Sequence, residues 1–471
     1  MTKIDRRKFL LNASSLLGVS SFMMPSITWA APDDPKPSSK RFLLNIHFGS
    51  GCGIANGLVQ PVKKGDWPTG FFRRGSNENA QNPLLNSHTG AGNLIFTDYN
   101  KFMADMSEHM CLMNGTPQVL DHGSARNLQT AGSKIKGVSP EWVMAVAQNM
   151  KMQGYSNPLA ITDGFKSKSV SDASLMLAGS FAQFKTITSD SSSVAKGGQF
   201  DSIWKVLKDS YKEASLDTTD MSENLSSDAV FQIETLVKGM PALKELENDG
   251  SFRNLENKLS KNSIAKVLEQ TQDKQAILDN WNPKVKDQLV LAGLLAKSGL
   301  ASGMTIKAAG EDRHGGGADV ETARNASATW AKIYQLWSWI KEEGMQHDVA
   351  IVVTQEFARS PYNSNYMDIP ILTKDGRQTV RCFGRDHGLF MGKMVINANV
   401  APASRVGRIG ENLTPQAAMD LSGRPDTSLA GHVSVDLMGS MLMRIFPELF
   451  PSERMVRKHW PNFKEVAALL K

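Results

Sequence analysis

The chain has 471 residues, 41% hydrophobic and 21% charged, with a formal net charge of +6. That composition is ordinary for a globular protein and argues against disordered and fibrous classes. No basic stripe interleaved with aromatics is visible, which argues against a nucleic-acid partner, and three cysteines without a Cys-x-x-Cys pair argue against a zinc knuckle, a thioredoxin-type motif or a haem or iron–sulfur site.

The first element is an export signal. Asp5-Arg6-Arg7-Lys8-Phe9-Leu10 matches a twin-arginine motif, a moderately apolar stretch runs from Leu10 to Met24, and Thr28-Trp29-Ala30 offers a small-residue cleavage site. The apolar run is too short and too polar for a permanent span, and no later segment reaches about 18 uninterrupted apolar residues. Residues 1–30 are therefore read as a cleavable signal and 31–40 as a Pro/Ser linker. The expected location is the periplasm or the medium, the expected partner on the way is the twin-arginine export machinery, and no permanent membrane anchor is expected. In such a compartment one disulfide can form, and an odd cysteine count (Cys52, Cys111, Cys382) leaves at least one thiol unpaired.

Arg41 to His47 reads as a short buried strand that ends in the Gly-rich turn Phe48-Gly-Ser-Gly-Cys-Gly53. Further short apolar runs predict strands at Met110 to Met113, Gly303 to Lys307, Asp348 to Thr354 and Lys393 to Asn397. Between Ser139 and Leu300 the texture changes to helical spacing, with helices predicted over Phe200 to Ala214, Ala229 to Asn248, Leu255 to Asn280 and Val285 to Leu300. A longer helix is predicted from Val320 to Glu343; its stripe of Trp330, Ile333, Tyr334, Trp337 and Ile340 reads as core. Strands alternating with helices predict an α/β fold with a sheet that is at least partly parallel. The segment from about 139 to 300 is read as a helical insertion or layer in one α/β unit spanning 41–471.

Three polar clusters flank the late strands: Glu311-Asp312-Arg313-His314, Thr354-Gln355-Glu356-Phe357-Ala358-Arg359, and Gly384-Arg385-Asp386-His387-Gly388. Sites in open α/β sheets gather at the carboxyl ends of strands. Carboxylates and imidazoles in that position suit a divalent metal, which could activate water or polarise an ester oxygen. Each cluster also has a plain reading, as a capped turn or a surface ion pair. An earlier segment, Asp121-His122-Gly123-Ser124-Ala125-Arg126, offers His122 as a ligand or an acid/base group, or equally Asp121 as a helix N-cap.

Taken in order, the twin-arginine signal, Gly49-Ser50-Gly51-Cys52-Gly53, His122 with Thr130-Ala131-Gly132, Asp312-Arg313-His314, Glu356-Phe357-Ala358-Arg359 and Asp386-His387-Gly388 resemble a bacterial exported family, domain-of-unknown-function family fifteen-oh-one. That family is placed in the alkaline phosphatase/sulfatase-like superfamily. The resemblance runs from the signal to about Phe446, and its most specific parts are Glu-Phe-x-Arg and Asp-His-Gly. It implies a doubly wound, largely parallel α/β sheet with a helical insertion, and hydrolysis or transfer of phosphate or sulfate groups at one or two divalent metals. Carried over residue by residue, Cys52, Asp312, His314, Glu356, Asp386 and His387 are the expected metal ligands. His122, Arg359 and Arg385 are the expected catalytic residues, the two arginines holding the anion. Cys52 stands where the family has an Asp, which turns the expected metal towards zinc, with manganese second. Ala358 and Arg313 replace a Gly and a Thr. The nucleophile has no clear match among Ser124, Thr130 and Ser139, and Cys52 lacks the Cys-x-Pro-x-Arg context of sulfatases. The expected activity is metal-dependent hydrolysis of a small or polymeric anionic ester; the alternative is an inactive relative serving in periplasmic binding or assembly.

Overall fold

A computed structural model describes residues 40–49, 88–91, 94–97, 99–115, 121–136, 138–154, 159–162, 174–177, 245–246, 248–271, 273–308, 314–315, 318–356, 366–373, 376–383, 391–406, 408–409, 415–416 and 434–470. The export signal and the predicted helix Phe200 to Ala214 lie outside these residues, as does most of the helix predicted from Ala229 to Asn248.

The first strand, β1 (Phe42–Phe48), is buried at all seven positions. A continuous run of this kind belongs in the middle of a sheet covered on both sides. The other described strands are β2 (His88–Ala91), β3 (Leu94–Thr97), β4 (Met110–Gly115), β5 (Leu159–Thr162), β6 (Ser174–Leu177), β7 (Gly303–Ala308), β8 (Val349–Gln355), β9 (Tyr366–Thr373), β10 (Gly376–Phe383), β11 (Met391–Ile396), β12 (Ser404–Val406), β13 (Arg408–Ile409) and β14 (Pro415–Gln416). Eight of them form one mixed sheet in the order β12-β4-β11-β8-β1-β7-β5-β6. Only β11 runs against the rest: it pairs antiparallel with both β4 and β8, while all other neighbours in the sheet pair parallel. Three antiparallel pairs, β2 with β3, β9 with β10 and β13 with β14, stand apart from it.

Helices cover both faces. On one, the helices α6 (Pro283–Ser298) and α7 (Ala318–Glu342) pack on Leu44, Ile46, Phe48, Met304, Ile306, Ile351 and Val353. On the other, α2 (Trp142–Met152) and α8 (Ser434–Ile445) pack on Leu43, Ala350, Val352, Val395, Cys111 and Met113. Strand side chains alternate between faces, so Asn45, His47, Thr305, Thr354 and Lys393 share the face of α2 and α8. Glycine allows the close fit there: a Cβ on Gly303 would stand 2.7 Å from the Leu43 carbonyl oxygen and 3.0 Å from Val143 Cβ.

The predicted strands at Arg41, Met110, Gly303, Asp348 and Lys393 all form, each with ends shifted by a residue or two. The predicted helix Val285 to Leu300 forms as α6, started by Asn282 accepting from the Val285 N–H with Pro283 in the first turn, and stopped by Gly299 at φ 69°. The aromatic stripe of α7 is core, with Trp330, Ile333, Trp337 and Ile340 buried.

Two expectations are corrected. The predicted helix Leu255 to Asn280 is three short helices, α3 (Ser251–Lys258), α4 (Lys261–Val267) and α5 (Lys274–Asp279). Ser260 caps a new start by accepting from the Ser263 N–H, and Asp273 at φ 57° breaks the spiral. The helical insertion read from about 139 to 300 contains β5 and β6, which extend the sheet beyond β7, so its first part belongs to the sheet itself. Among the cysteines, Cys111 is a buried free thiol whose pKa burial raises to about 11. Among the described residues no helix is long and apolar enough to cross a membrane.

Candidate functional site

The sheet brings the polar segments to one edge. Phe48 at the end of β1 lies opposite both Ala308 at the end of β7 and Gln355 at the end of β8. Met391 at the start of antiparallel β11 lies opposite Gly115 at the end of β4. The segments leaving or entering the sheet at these points carry the expected site residues. Of those, His122, His314 and Glu356 are described; Cys52, Asp312, Arg359, Arg385, Asp386 and His387 lie outside the described residues.

Glu356, the first residue past β8, is the centre of what is described. Its side chain is 2% exposed, and its Oε2 accepts a hydrogen bond from His122 Nδ1. Its Oε1 lies 3.3 Å from Arg126 Nε and 3.7 Å from His47 Nε2. His122 and Arg126 come from α1 (His122–Ala131), one helical turn apart and hence on one face. Their side chains are 32% and 35% exposed, so a buried carboxylate holds two partly open cation-forming groups. Asp121 accepts from the Ser124 N–H at 2.8 Å, so it caps α1 while the next residue reaches Glu356. The two readings of this segment are therefore compatible.

Beneath Glu356 the sheet supplies a second layer. His47 is fully buried, with Nδ1 2.9 Å from Thr354 Oγ1. Burial pushes the His47 pKa below its ordinary value, against the pull of Glu356 and with the help of Arg126 and Lys393. A neutral ring that accepts the Thr354 hydroxyl at Nδ1 carries its proton on Nε2, the atom facing Glu356. Burial pushes the Glu356 carboxyl up, but the facing His47 and His122 outweigh it and hold it at about 2.

The far end of α1 is tied down by side chains from four other parts of the chain. Lys393, opposite Thr354 in the sheet, donates to the Gln129 carbonyl at 3.0 Å and to the Gln129 side chain. Trp142 Nε1 donates to the same carbonyl at 2.6 Å, Ser434 Oγ to that of Leu128 at 3.2 Å, and Trp460 Nε1 to that of Ala131 at 2.8 Å. The Gln129 and Ala131 carbonyls are among those a helix leaves open at its end, while that of Leu128 also accepts the Gly132 N–H at 3.1 Å. Gly132 closes the helix at φ 70°, where a Cβ would stand 2.7 Å from Trp142 Cη2. Lys393 is buried, and that burial lowers its pKa well below the ordinary value. The clamp fixes the direction in which α1 presents His122 and Arg126.

His314 is half-buried in the connection between β7 and α7. Among the described residues no group of three or more His, Cys, Asp and Glu is arranged to hold a metal ion. As placed, Glu356 Oε2 faces His122, and its Oε1 faces Arg126 and His47. The sequence reading passed over His47, Arg126, Thr354 and Lys393 as site residues. His47 had a signal: an ionisable residue inside an otherwise apolar strand. Arg126 had another, its spacing of one helical turn from His122.

Compared with models of known protein families and with curated proteins, the chain matches none.

Proposed function

We propose that this is a hydrolase-like protein of the alkaline phosphatase/sulfatase-like type, doubly wound, exported by the twin-arginine route and acting in the periplasm or the medium on a phosphate or sulfate ester or a similar anionic substrate. One observation carries the reading: a buried, ionised carboxylate, Glu356, grips a partly exposed histidine and arginine just past the carboxyl end of a central strand. The near-parallel sheet with helices on both faces supports the fold assignment.

In this reading His122 Nδ1 donates to Glu356, which fixes the ring and leaves Nε2 as the atom that takes or returns a proton. Arginines hold the anion and disperse the charge that grows on it. The expected divalent ion, zinc before manganese, would draw its ligands from Cys52, Asp312, His314, Glu356, Asp386 and His387, and when bound would polarise the ester oxygen.

The test is elemental analysis of the protein purified without chelators, alongside a screen of aryl phosphate, phosphodiester and sulfate esters. Turnover that falls about 10²- to 10⁴-fold in His122→Ala and Glu356→Gln supports the reading. One or two equivalents of zinc or manganese, lowered in Asp312→Ala and His387→Ala but not in Lys341→Ala, supports the metal. Folded protein with neither turnover nor metal uptake overturns both, and leaves a periplasmic binding or assembly protein.

A further inference from the structure

We propose that the two ends of α2, with the helix α9 (Glu453–His459) fastened between them, form a surface that docks reversibly on a bilayer containing anionic phospholipid. None of its residues belongs to the expected site, so it stands whether or not Glu356 serves a hydrolase.

Exposed apolar side chains are gathered at these two ends. Among the described residues the exposed large hydrophobics are Ile135, Val138 and Met152, at 68%, 54% and 37%. Ile135 and Val138 come shortly before α2, and Met152 is its last residue. The first two sit on a held turn: the Ile135 N–H donates to Ser133 Oγ at 3.2 Å, and the Val138 N–H to the Ile135 carbonyl at 3.4 Å. The ends of α2 are about 16 Å apart, at about 1.5 Å for each of its 11 residues. The chain around α9 joins them. Trp460 packs on Trp142, ring centroids 4.6 Å apart, and donates to the Ala131 carbonyl at the foot of the turn. His459 meets Asn149 at 2.9 Å, and Lys458 Nζ meets Met152 Sδ. These contacts run from one end of α2 to the other, so the protruding apolar groups belong to one side of the molecule.

That side is basic. Lys136 is exposed next to Ile135, and Lys458 is exposed beside Met152. Arg454 is exposed one turn before Lys458 on the same face of α9. Of the carboxylates nearby, Glu453 pairs with Arg457, Glu448 with Arg41, and Glu465 follows Lys464. An aliphatic tip with a cation beside it suits the membrane interface: the apolar group enters the acyl boundary while the charge stays among the phosphates. A protein partner is met by a closely packed apolar patch, whereas here the apolar groups protrude from a turn and a helix end. Charge and shape together fit anionic lipid, and so few groups give a reversible hold and not an anchor.

Sedimentation of the full chain with vesicles of phosphatidylglycerol mixed with phosphatidylcholine, and of phosphatidylcholine alone, tests the proposal. Residues 1–30 are themselves basic and partly apolar, so binding is also read locally, as protection of the backbone amides of residues 135–138 and 150–154 from hydrogen exchange. We expect the anionic vesicles to protect both segments and the neutral ones to protect neither. Ile135→Ser with Val138→Ser should raise the lipid concentration for half-protection about tenfold or more, through lost apolar burial. Lys136→Glu with Lys458→Glu should raise it by a similar factor through lost attraction. Lys341→Glu, on α7 across the sheet, should leave it unchanged. All five side chains are exposed, so the variants keep the fold. Unprotected segments in the wild type, equal protection by neutral vesicles, or wild-type behaviour of both paired variants each overturns the proposal. A concentration-dependent dimer that these variants abolish, with no protection by vesicles, would put a second copy of the chain on this surface and overturn the lipid reading.

Discussion

The two faces of the sheet are built from the same strands and do different work. Facing α6 and α7, the strands present Leu44, Ile46, Phe48, Met304, Ile306, Ile351, Val353, Met394 and Ile396, an unbroken apolar surface. Facing α2 and α8, alternate positions of those strands present Asn45, His47, Thr305, Thr354 and Lys393 among the aliphatics. Burying polar groups costs free energy unless each finds a partner. His47, Thr354 and Lys393 find theirs on this face, in one another's neighbourhood and in Gln129 of α1. One side of the sheet is purely apolar where the strands meet the helices; the other combines an apolar core with the polar residues of the candidate site.

The largest expected effect breaks the apolar side. Ile46→Ala should cost about 2–5 kcal/mol in denaturant unfolding, by lost burial and the cavity left behind, while anion binding of the folded fraction stays as it was. A loss of anion binding at full stability would show that the faces are not separate.

Acid should attack the other face. His459, buried on Asn149 Oδ1 at 2.9 Å, has its pKa lowered to about 4 by burial and by Lys458. Its folded pKa is below its unfolded value, so the folded protein keeps full stability above about pH 6.5 and loses it as pH falls to about 4. That loss is on the order of 3 kcal/mol. His47 is shifted in the same direction. His459→Gln should flatten the stability profile between those limits; an unchanged slope would remove His459 from the account.

A smaller effect sharpens the contrast within one strand. The buried side-chain amide of Asn45 has no hydrogen-bond partner among the described residues. Asn45→Val should therefore raise stability by about 1 kcal/mol, since an unmet buried amide is costlier than a methyl. Destabilisation would mean that the amide is bonded to something the polar face holds in solution.

The sequence carried much of this in the places where burial is continuous. The strands at Phe42, Gly303 and Val349 are short apolar runs bounded by polar or glycine-rich turns, and such runs are visible without a partner. The strands β5 and β6 are not, because Leu-Ala-Ile-Thr and Ser-Leu-Met-Leu are four residues each and set no period. The hairpin of β9 and β10 was missed for another reason: neither strand shows a clean alternation. In the site, Glu356 and His122 stood in motif segments and could be named. Their contact could not, since it joins residues 234 apart in the chain. His47 was read as the last residue of a strand, and nothing local says that Thr354 on the neighbouring strand will turn its imidazole towards Glu356.

The tie between Trp460 and the end of α1 sets an order of events. The Trp460 indole meets the Ala131 carbonyl across 329 residues of chain, and Ser434 meets Leu128 across 306. A growing chain contains His122 and Arg126 long before it contains what aims them. A polypeptide ended early, even one with every residue of the cluster, would carry the parts of the site without their alignment. The site is thus aligned only after synthesis has passed Trp460, and a chain whose α1 is correctly held is one that has been made beyond that residue.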